Sequence, residues 1–196
     1  GVDDKAAKKA DRERIRAERR AARQRKKARK PADNSTAANV DDAKAAKKAG
    51  RTAADGVIVV AVSPDSKSAV MVEVNCETDF VAKNDNFKNL INDVAGIILN
   101  SSATNLEEAL QVETDGKSLE DKLVEATAKI GEKISLRRVS RIVKEDSASF
   151  GPYIHMGGKV GVLIEVACEK EETVTAPAFE ELVKDLTLHV AAAAPR

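Results

Sequence analysis

Cysteine and histidine, the side chains that most often carry thiol, metal and proton-transfer chemistry, are scarce in this chain of 196 residues. There are two cysteines, Cys76 and Cys168, and two histidines, His155 and His189. With no CxxC and no clustered ligands, a zinc-type metal site is excluded by counting alone. Cys76 shares a strand face with Val70, Val72 and Val74, and Cys168 shares one with Val162, Ile164 and Val166. Each is therefore expected as a buried small hydrophobe, with a disulfide between them as the alternative. Neither sits among groups that would lower its pKa for thiol chemistry, and His155 has no nucleophile or carboxylate beside it in sequence to make it a general base. No catalytic residue, no metal and no cofactor is assigned. What remains is the chemistry of recognition, in Thr78, Asp79, Phe80 and Val81. A lone phenylalanine in a polar connection gains nothing from water and calls for a pocket, either in its own core or in a partner's.

The elements around that connection occur twice. Glu73, Val74, Cys76, Glu77, Phe87, Leu90 and Asp93 recur 92 residues later as Glu165, Val166, Cys168, Glu169, Phe179, Leu182 and Asp185. Each copy reads as a strand, a connection and an amphipathic helix. The connection differs, because the second copy has Lys170, Glu171, Glu172 and Thr173 where the first has Thr78 to Val81. A shared scaffold explains the common positions and leaves Phe80 unexplained.

Local signals place the other elements. Residues 41–55 predict an Ala-rich helix weakened by Gly50 and closed by Gly56. Val57–Ser63 and Ala69–Cys76 are β-branched runs joined by Pro64, Asp65, Ser66 and Lys67, a hairpin signal. Asn84 or Asp85 caps a helix whose Phe87, Leu90, Ile91, Val94 and Ile98 share one face. Ser118 and Asp121 resemble a capping box opening a helix with Leu119, Leu123, Ala126 and Ile130, which Gly131 ends. Ile134–Val143 predicts a strand whose Arg137, Arg138 and Arg141 break alternation, as a bulge or an edge would. Gly157 and Gly158 mark a tight turn, and Pro177 opens a helix carrying Phe179, Leu182, Val183, Leu186 and Val190. The fold class is α+β, two related subdomains that are each a small antiparallel sheet packed with helices, preceded by a basic helical or disordered arm. The domain reading is an arm and linker at 1–40, a first subdomain at 41–145 and a partial second one at 146–196.

A formal net charge of +1 conceals a division of the chain. Residues 1–30 carry 14 Lys and Arg against 5 Asp and Glu, and the rest carries 19 against 27. The arm has Ile15 as the only large apolar side chain between Asp11 and Lys30, and Arg16, Arg19, Arg20, Arg23, Arg25, Lys26 and Lys27 form a stretch suited to phosphate backbones. Lacking aromatics for base stacking, any RNA contact it makes should be indifferent to sequence. The run from Lys5 to Arg12 echoes that from Lys44 to Arg51, as simple Ala/Lys low complexity also would. No apolar run approaches the roughly 20 residues of a membrane helix, no signal sequence opens the chain, and no membrane association is expected. The start at Gly1 is expected to reflect processing.

The stretch MVEVNCETDFVAKNDNF, with KAAKKAGRTAADGV, AKIGEKISLRRV, YIHMGGKVGVLIEV and ELVKDLTLHVAAAAPR in the same order, resembles elongation factor Ts, the guanine nucleotide exchange factor of elongation factor Tu. The resemblance covers residues 41–196. It implies that Asp79 and Phe80 enter the partner's GTPase domain beside the bound magnesium, flanked by Thr78 and Val81. It also implies further partner contacts at Lys48, Ile130, Gly131 and His155. Each of these has a plain structural reading as well: a solvated charge, a core residue, a helix C-cap and a loop residue. The family's small N-terminal helical domain has no counterpart in residues 1–40, and its C-terminal module is not matched. An organellar member is expected, in the chloroplast stroma rather than the mitochondrial matrix, with bacterial cytoplasm as the alternative. The second functional reading is a ribosome-associated relative tethered to ribosomal RNA through the arm.

Overall fold

The computed structural model describes residues 43–193, and the arm lies outside them. The helix expected at 41–55 is described at 43–46, followed by turns to residue 50. Asp55 already begins a strand, so Gly56 does not close a helix. Its role is steric. Gly56 faces Asn75 in the neighbouring strand, and a Cβ on it would stand 2.3 Å from the Asn75 Oδ1.

Three strands form the first sheet: β1 (Asp55–Val62), β2 (Ser68–Cys76) and β5 (Ser135–Val143), in the order β1-β2-β5 and antiparallel throughout. The β1–β2 hairpin is the expected one. Its turn is closed by Asp65, which accepts from Ser63 Oγ and from the Lys67 N–H. On β5 the pairing shifts between Glu73↔Arg138 and Val74↔Leu136. Arg137 is left as the extra residue of a bulge on an edge strand. The arginines that broke the alternation thus have separate uses. Arg138 Nε donates to Glu73 at 2.6 Å across the strands. Arg141 reaches under the sheet and donates to the carbonyls of Ile98 and Leu99 at 3.0 Å each, satisfying the end of a helix.

That helix is α2 (Asp85–Leu99). It follows a short α1 (Asp79–Lys83) and is capped by Asn84, whose side chain accepts from the Asn86 N–H. Phe87, Ile91, Val94, Ala95 and Ile98 are buried on Val70, Val72, Val74 and Cys76 of β2. Leu90 is only partly covered. The segment between α2 and the next long helix holds α3 (Leu106–Leu110) and a two-residue hairpin, β3 (Glu113–Thr114) with β4 (Lys117–Ser118). Asp115 and Gly116 take φ of 55° and 75° there, the paired left-handed conformation that an Asp-Gly turn favours. This hairpin was not expected from the sequence. α4 (Leu119–Ile130) opens on the expected Ser118–Asp121 capping box and ends on Gly131 at φ 89°.

The second copy builds β6 (Ala148–His155) and β7 (Val160–Ala167), a two-stranded antiparallel sheet, then a 3-10 turn at Glu171–Thr175 and α5 (Pro177–Ala193). Here the expected burial fails in two places. α5 buries Phe179, Val183 and Thr187, while Leu182 is 48% exposed and Leu186 and Leu188 are exposed too. Cys168 lies just past β7 and is only half-buried, unlike the fully buried Cys76. Two strands cover less of a helix than three, so part of the apolar face that is buried in the first copy meets water in the second.

The tip of the β6–β7 hairpin is fastened to β1. Ile58 N–H donates to Gly158 O at 2.8 Å, and a Cβ at Gly158 would stand 2.5 Å from Val57 Cγ1 and 2.9 Å from Ile58 O. Gly158 also holds φ at 95°. Gly96, inside α2, has open space where a Cβ would go. Chemical denaturation should therefore show opposite effects: Gly158→Ala lowers stability by about 2 kcal/mol through clash and backbone strain, whereas Gly96→Ala raises it by about 0.5–1 kcal/mol.

Candidate functional site

Thr78 begins the site as the N-cap of α1. Its backbone is extended at φ −128°, ψ 155°, and its hydroxyl oxygen accepts from the Val81 N–H at 3.4 Å. A five-residue helix has room for one inward and one outward side. Ala82 is buried and Val81 packs against the core. Phe80 points away and is 83% exposed. The reading in which Phe80 sits in its own core is thereby excluded. Asp79 occupies the first turn, where a carboxylate suits the helix dipole. It takes a 2.7 Å ion pair with Lys83 one turn on, and this holds its pKa below the ordinary carboxylate value. In the second copy the equivalent 3-10 turn starts after Lys170 and has no side-chain cap.

The segments flanking α1 are tied together by two carboxylates. Glu132 Oε2 accepts from the N–H groups of Glu77 at 3.1 Å and Thr78 at 3.0 Å, and its Oε1 accepts from the Thr78 hydroxyl at 2.7 Å. Glu77 reciprocates by accepting from the Lys133 N–H at 2.7 Å. Backbone hydrogen bonding to Lys133, aided by the nearby Arg51, holds the Glu77 carboxyl below its ordinary pKa. Lys133 Nζ donates to Ala49 O at 2.6 Å. Neither Glu77 nor Glu132 was singled out from the sequence as a site residue. Their partners are far along the chain, and no local spacing signals them.

The same loop begins at Gly131, directly after Ile130, the last residue of α4. Ile130 is half-buried against the core, and the Gly131 N–H donates to Thr127 O as the helix C-cap. Lys48 Nζ lies 3.7 Å from the place a Gly131 Cβ would occupy. Between α2 and α4 a groove of about 640 Å³ opens beside α1, lined in part by Val81, Leu90, Ala126 and Ile130. Thr78 to Val81, Ile130, Gly131 and Lys48 are thus gathered by the Glu77–Glu132 pair.

His155 belongs to the β6–β7 hairpin. It is exposed, its Nδ1 is 2.9 Å from Tyr153 Oη, and the two rings stack at 5.9 Å. Next to it Met156 is 71% exposed and held at φ 50°. Met156 was not anticipated, although a large apolar residue ahead of Gly157 and Gly158 was the available signal. Lys159 links this tip to the site by pairing with Asp55 at 3.1 Å and acting on the Asp79 carboxylate as well. Arg16, Arg19, Arg20, Arg23, Arg25, Lys26 and Lys27 lie outside the described residues.

The family model described as Elongation factor TS matches residues 77–196. The chain belongs to the elongation factor Ts family. It is 45% identical over 154 residues to elongation factor Ts of a Nitratiruptor species, covering 79% of this chain and 50% of that protein. It is 41% identical over 157 residues to that of Trichlorobacter lovleyi, again 79% and 50%. For Acholeplasma laidlawii the identity is 48% over 149 residues, covering 76% and 47%. This elongation factor Ts relative therefore spans about half the length of the curated proteins it matches. Among its described residues no helix is long and apolar enough to cross a membrane.

Cys76 contributes to the site as packing. Its thiol is pushed up to about 11, first by burial and then by the carboxylates of Glu132 and Asp55. It is protonated at neutral pH and is no nucleophile. A thiol whose folded pKa is raised favours the folded state fully below its unfolded pKa, and that advantage is lost as pH rises toward the folded value. Stability should fall by up to about 3 kcal/mol between roughly pH 9 and 11. The decline should be shallower in Cys76→Ala than in the parent, as denaturation curves across that range would show, the remainder coming from paired lysines such as Lys67, Lys83 and Lys117.

Proposed function

We propose that the chain promotes GDP release from elongation factor Tu, with Phe80 as a wedge and Asp79 as an electrostatic disruptor of the magnesium and diphosphate site. The observation that carries this reading is the 83% exposure of Phe80 on a helix whose other apolar residues, Val81 and Ala82, face inward. An exposed aromatic ring on a rigid, capped turn is already ordered before it docks, so little conformational entropy opposes its insertion. Asp79 beside it would place negative charge where a metal's positive charge neutralises phosphates, weakening that grip. No covalent step is needed. A protein that binds the nucleotide-free GTPase more tightly than its GDP complex weakens GDP binding by the same factor, and about 4 kcal/mol of coupling amounts to roughly a thousandfold.

The wider footprint follows from what the Glu77–Glu132 pair gathers. Ile130, Gly131 and Lys48 would flank the wedge on one side, and His155 at the hairpin tip would extend the surface on another. Phe80→Ala separates wedge from scaffold. Thermal unfolding should change by less than about 0.5 kcal/mol, because an exposed side chain supports little of the fold. Stopped-flow release of fluorescent GDP from elongation factor Tu should lose most of its acceleration. A variant that still speeds release like the parent chain would refute the wedge.

A second reading is favoured by one observation, the 14 basic against 5 acidic residues in positions 1–30. The arm would hold the protein on ribosomal RNA through phosphate contacts, with the chloroplast stroma as the proposed compartment. Cosedimentation with ribosomes should then weaken steeply as salt rises and be lost on removing residues 1–39. Binding that ignores either change would count against the tether.

A further inference from the structure

We propose that Glu132 is a positioning residue that sets the stance of Phe80 from a loop 54 residues beyond the Thr78 cap in sequence. The inference rests on the exchange reading above and names the group that prepares its wedge. In a local capping box the third helical residue is a Glu, Gln or Asp that turns back to accept from the N-cap N–H. α4 has this arrangement, with Asp121 serving Ser118. In α1 the third helical residue is Val81, which is spent on the core and cannot accept a hydrogen bond through its side chain. Glu132 takes that role from another loop. Its carboxylate accepts the N-cap N–H, the N-cap hydroxyl and the preceding Glu77 N–H.

This arrangement has a mechanical consequence. A five-residue helix is too short to hold its own direction, since nucleation of a single turn is unfavourable. The direction of α1 is borrowed from the loop that follows α4, which also carries Gly131 and lies next to Ile130. Glu77 returns the bond to Lys133, so the two loops are joined at both ends. The ring of Phe80 and the residues beside the groove therefore move as one body. A wedge delivered this way is aimed before contact, and loosening it costs push rather than grip.

The test uses the full chain and elongation factor Tu loaded with fluorescent GDP, together with amide hydrogen exchange on the chain alone. In Glu132→Ala the N–H groups of Glu77 and Thr78 should exchange at least about tenfold faster. The maximal rate of GDP release should fall about tenfold, the scale of one lost charge-assisted hydrogen bond. The concentration giving half-maximal acceleration should move less than about threefold, because the binding surface is still present. Glu132→Gln should retain most of the rate, since its amide oxygen still accepts both N–H groups while its NH2 faces the Thr78 hydroxyl. Should Glu132→Ala fail to fold, Thr78→Val at nearly constant volume removes one of the three bonds together with the local cap to the Val81 N–H, and Glu132→Gln, which keeps both backbone bonds, is the control against which its loss of rate is read. The proposal is overturned if amide protection is lost while GDP release keeps the parent's maximal rate. It is equally overturned if Gln is as damaging as Ala, or if the whole effect falls on the half-maximal concentration. A parent chain that does not accelerate release at all removes the exchange reading and this inference together, a result distinct from an active parent with an equally active variant.

Discussion

Strand β2 is the constraint on which the rest of the three-stranded sheet and its helices depends. Val70, Val72, Val74 and Cys76 are wholly out of water, and the strand is hydrogen-bonded on both sides. A slip of one residue would turn all four to the opposite face and expose them, so the register is fixed by burial rather than by any single bond. Because β2 cannot slide, the residues leaving its end emerge at one place. Glu77 and Thr78 come directly off the buried Cys76, and α1 starts where they point. The bulge at Arg137 serves the same register, letting Leu136 and Val139 both reach the core although they are three residues apart.

The duplicated unit shows how much the third strand matters. Both copies have a hairpin, a connection and a helix with a phenylalanine in its first turn. In the first copy β5 completes the sheet, and α2 is buried along Phe87, Ile91, Val94 and Ile98. In the second copy the sheet has two strands, Cys168 is half-buried, and Leu182 and Leu186 face outward. A hydrophobic periodicity says which residues share a face. It does not say how much of that face a neighbour covers. Thr187 takes one of the three buried positions of α5, its hydroxyl satisfied by Val183 O at 2.7 Å. Burial there carries no unpaired polar group.

Charge in this part of the molecule works through geometry more than through bulk attraction. The carboxylates of Glu132 and Glu77 act as acceptors for backbone N–H groups of loops far apart in sequence, and that is what gathers the segments carrying Thr78, Gly131 and Lys48. Lys159 does the corresponding work for the β6–β7 tip by pairing with Asp55 at the start of β1. The surface made this way joins an exposed ring, a carboxylate paired to a lysine and an apolar groove.

By itself the sequence determined the elements whose signals are local: the Ser118–Asp121 cap, the Asn84 cap, the Gly131 terminus, the hairpin around Asp65, and the apolar faces of α2 and α4. The family was also legible, because the motifs that carry the resemblance are contiguous stretches of sequence. The residues around Gly56 were misread because helix propensity in an Ala-rich run says nothing about the side chain of Asn75 across the sheet. Only the tertiary structure decided that Phe80 faces water and that Glu132 caps a helix whose N-cap lies 54 residues before it. The reason is physical. Capping and periodicity act within one or two turns and leave a trace in spacing, whereas the direction of a short helix is set by whichever distant groups the core brings beside it.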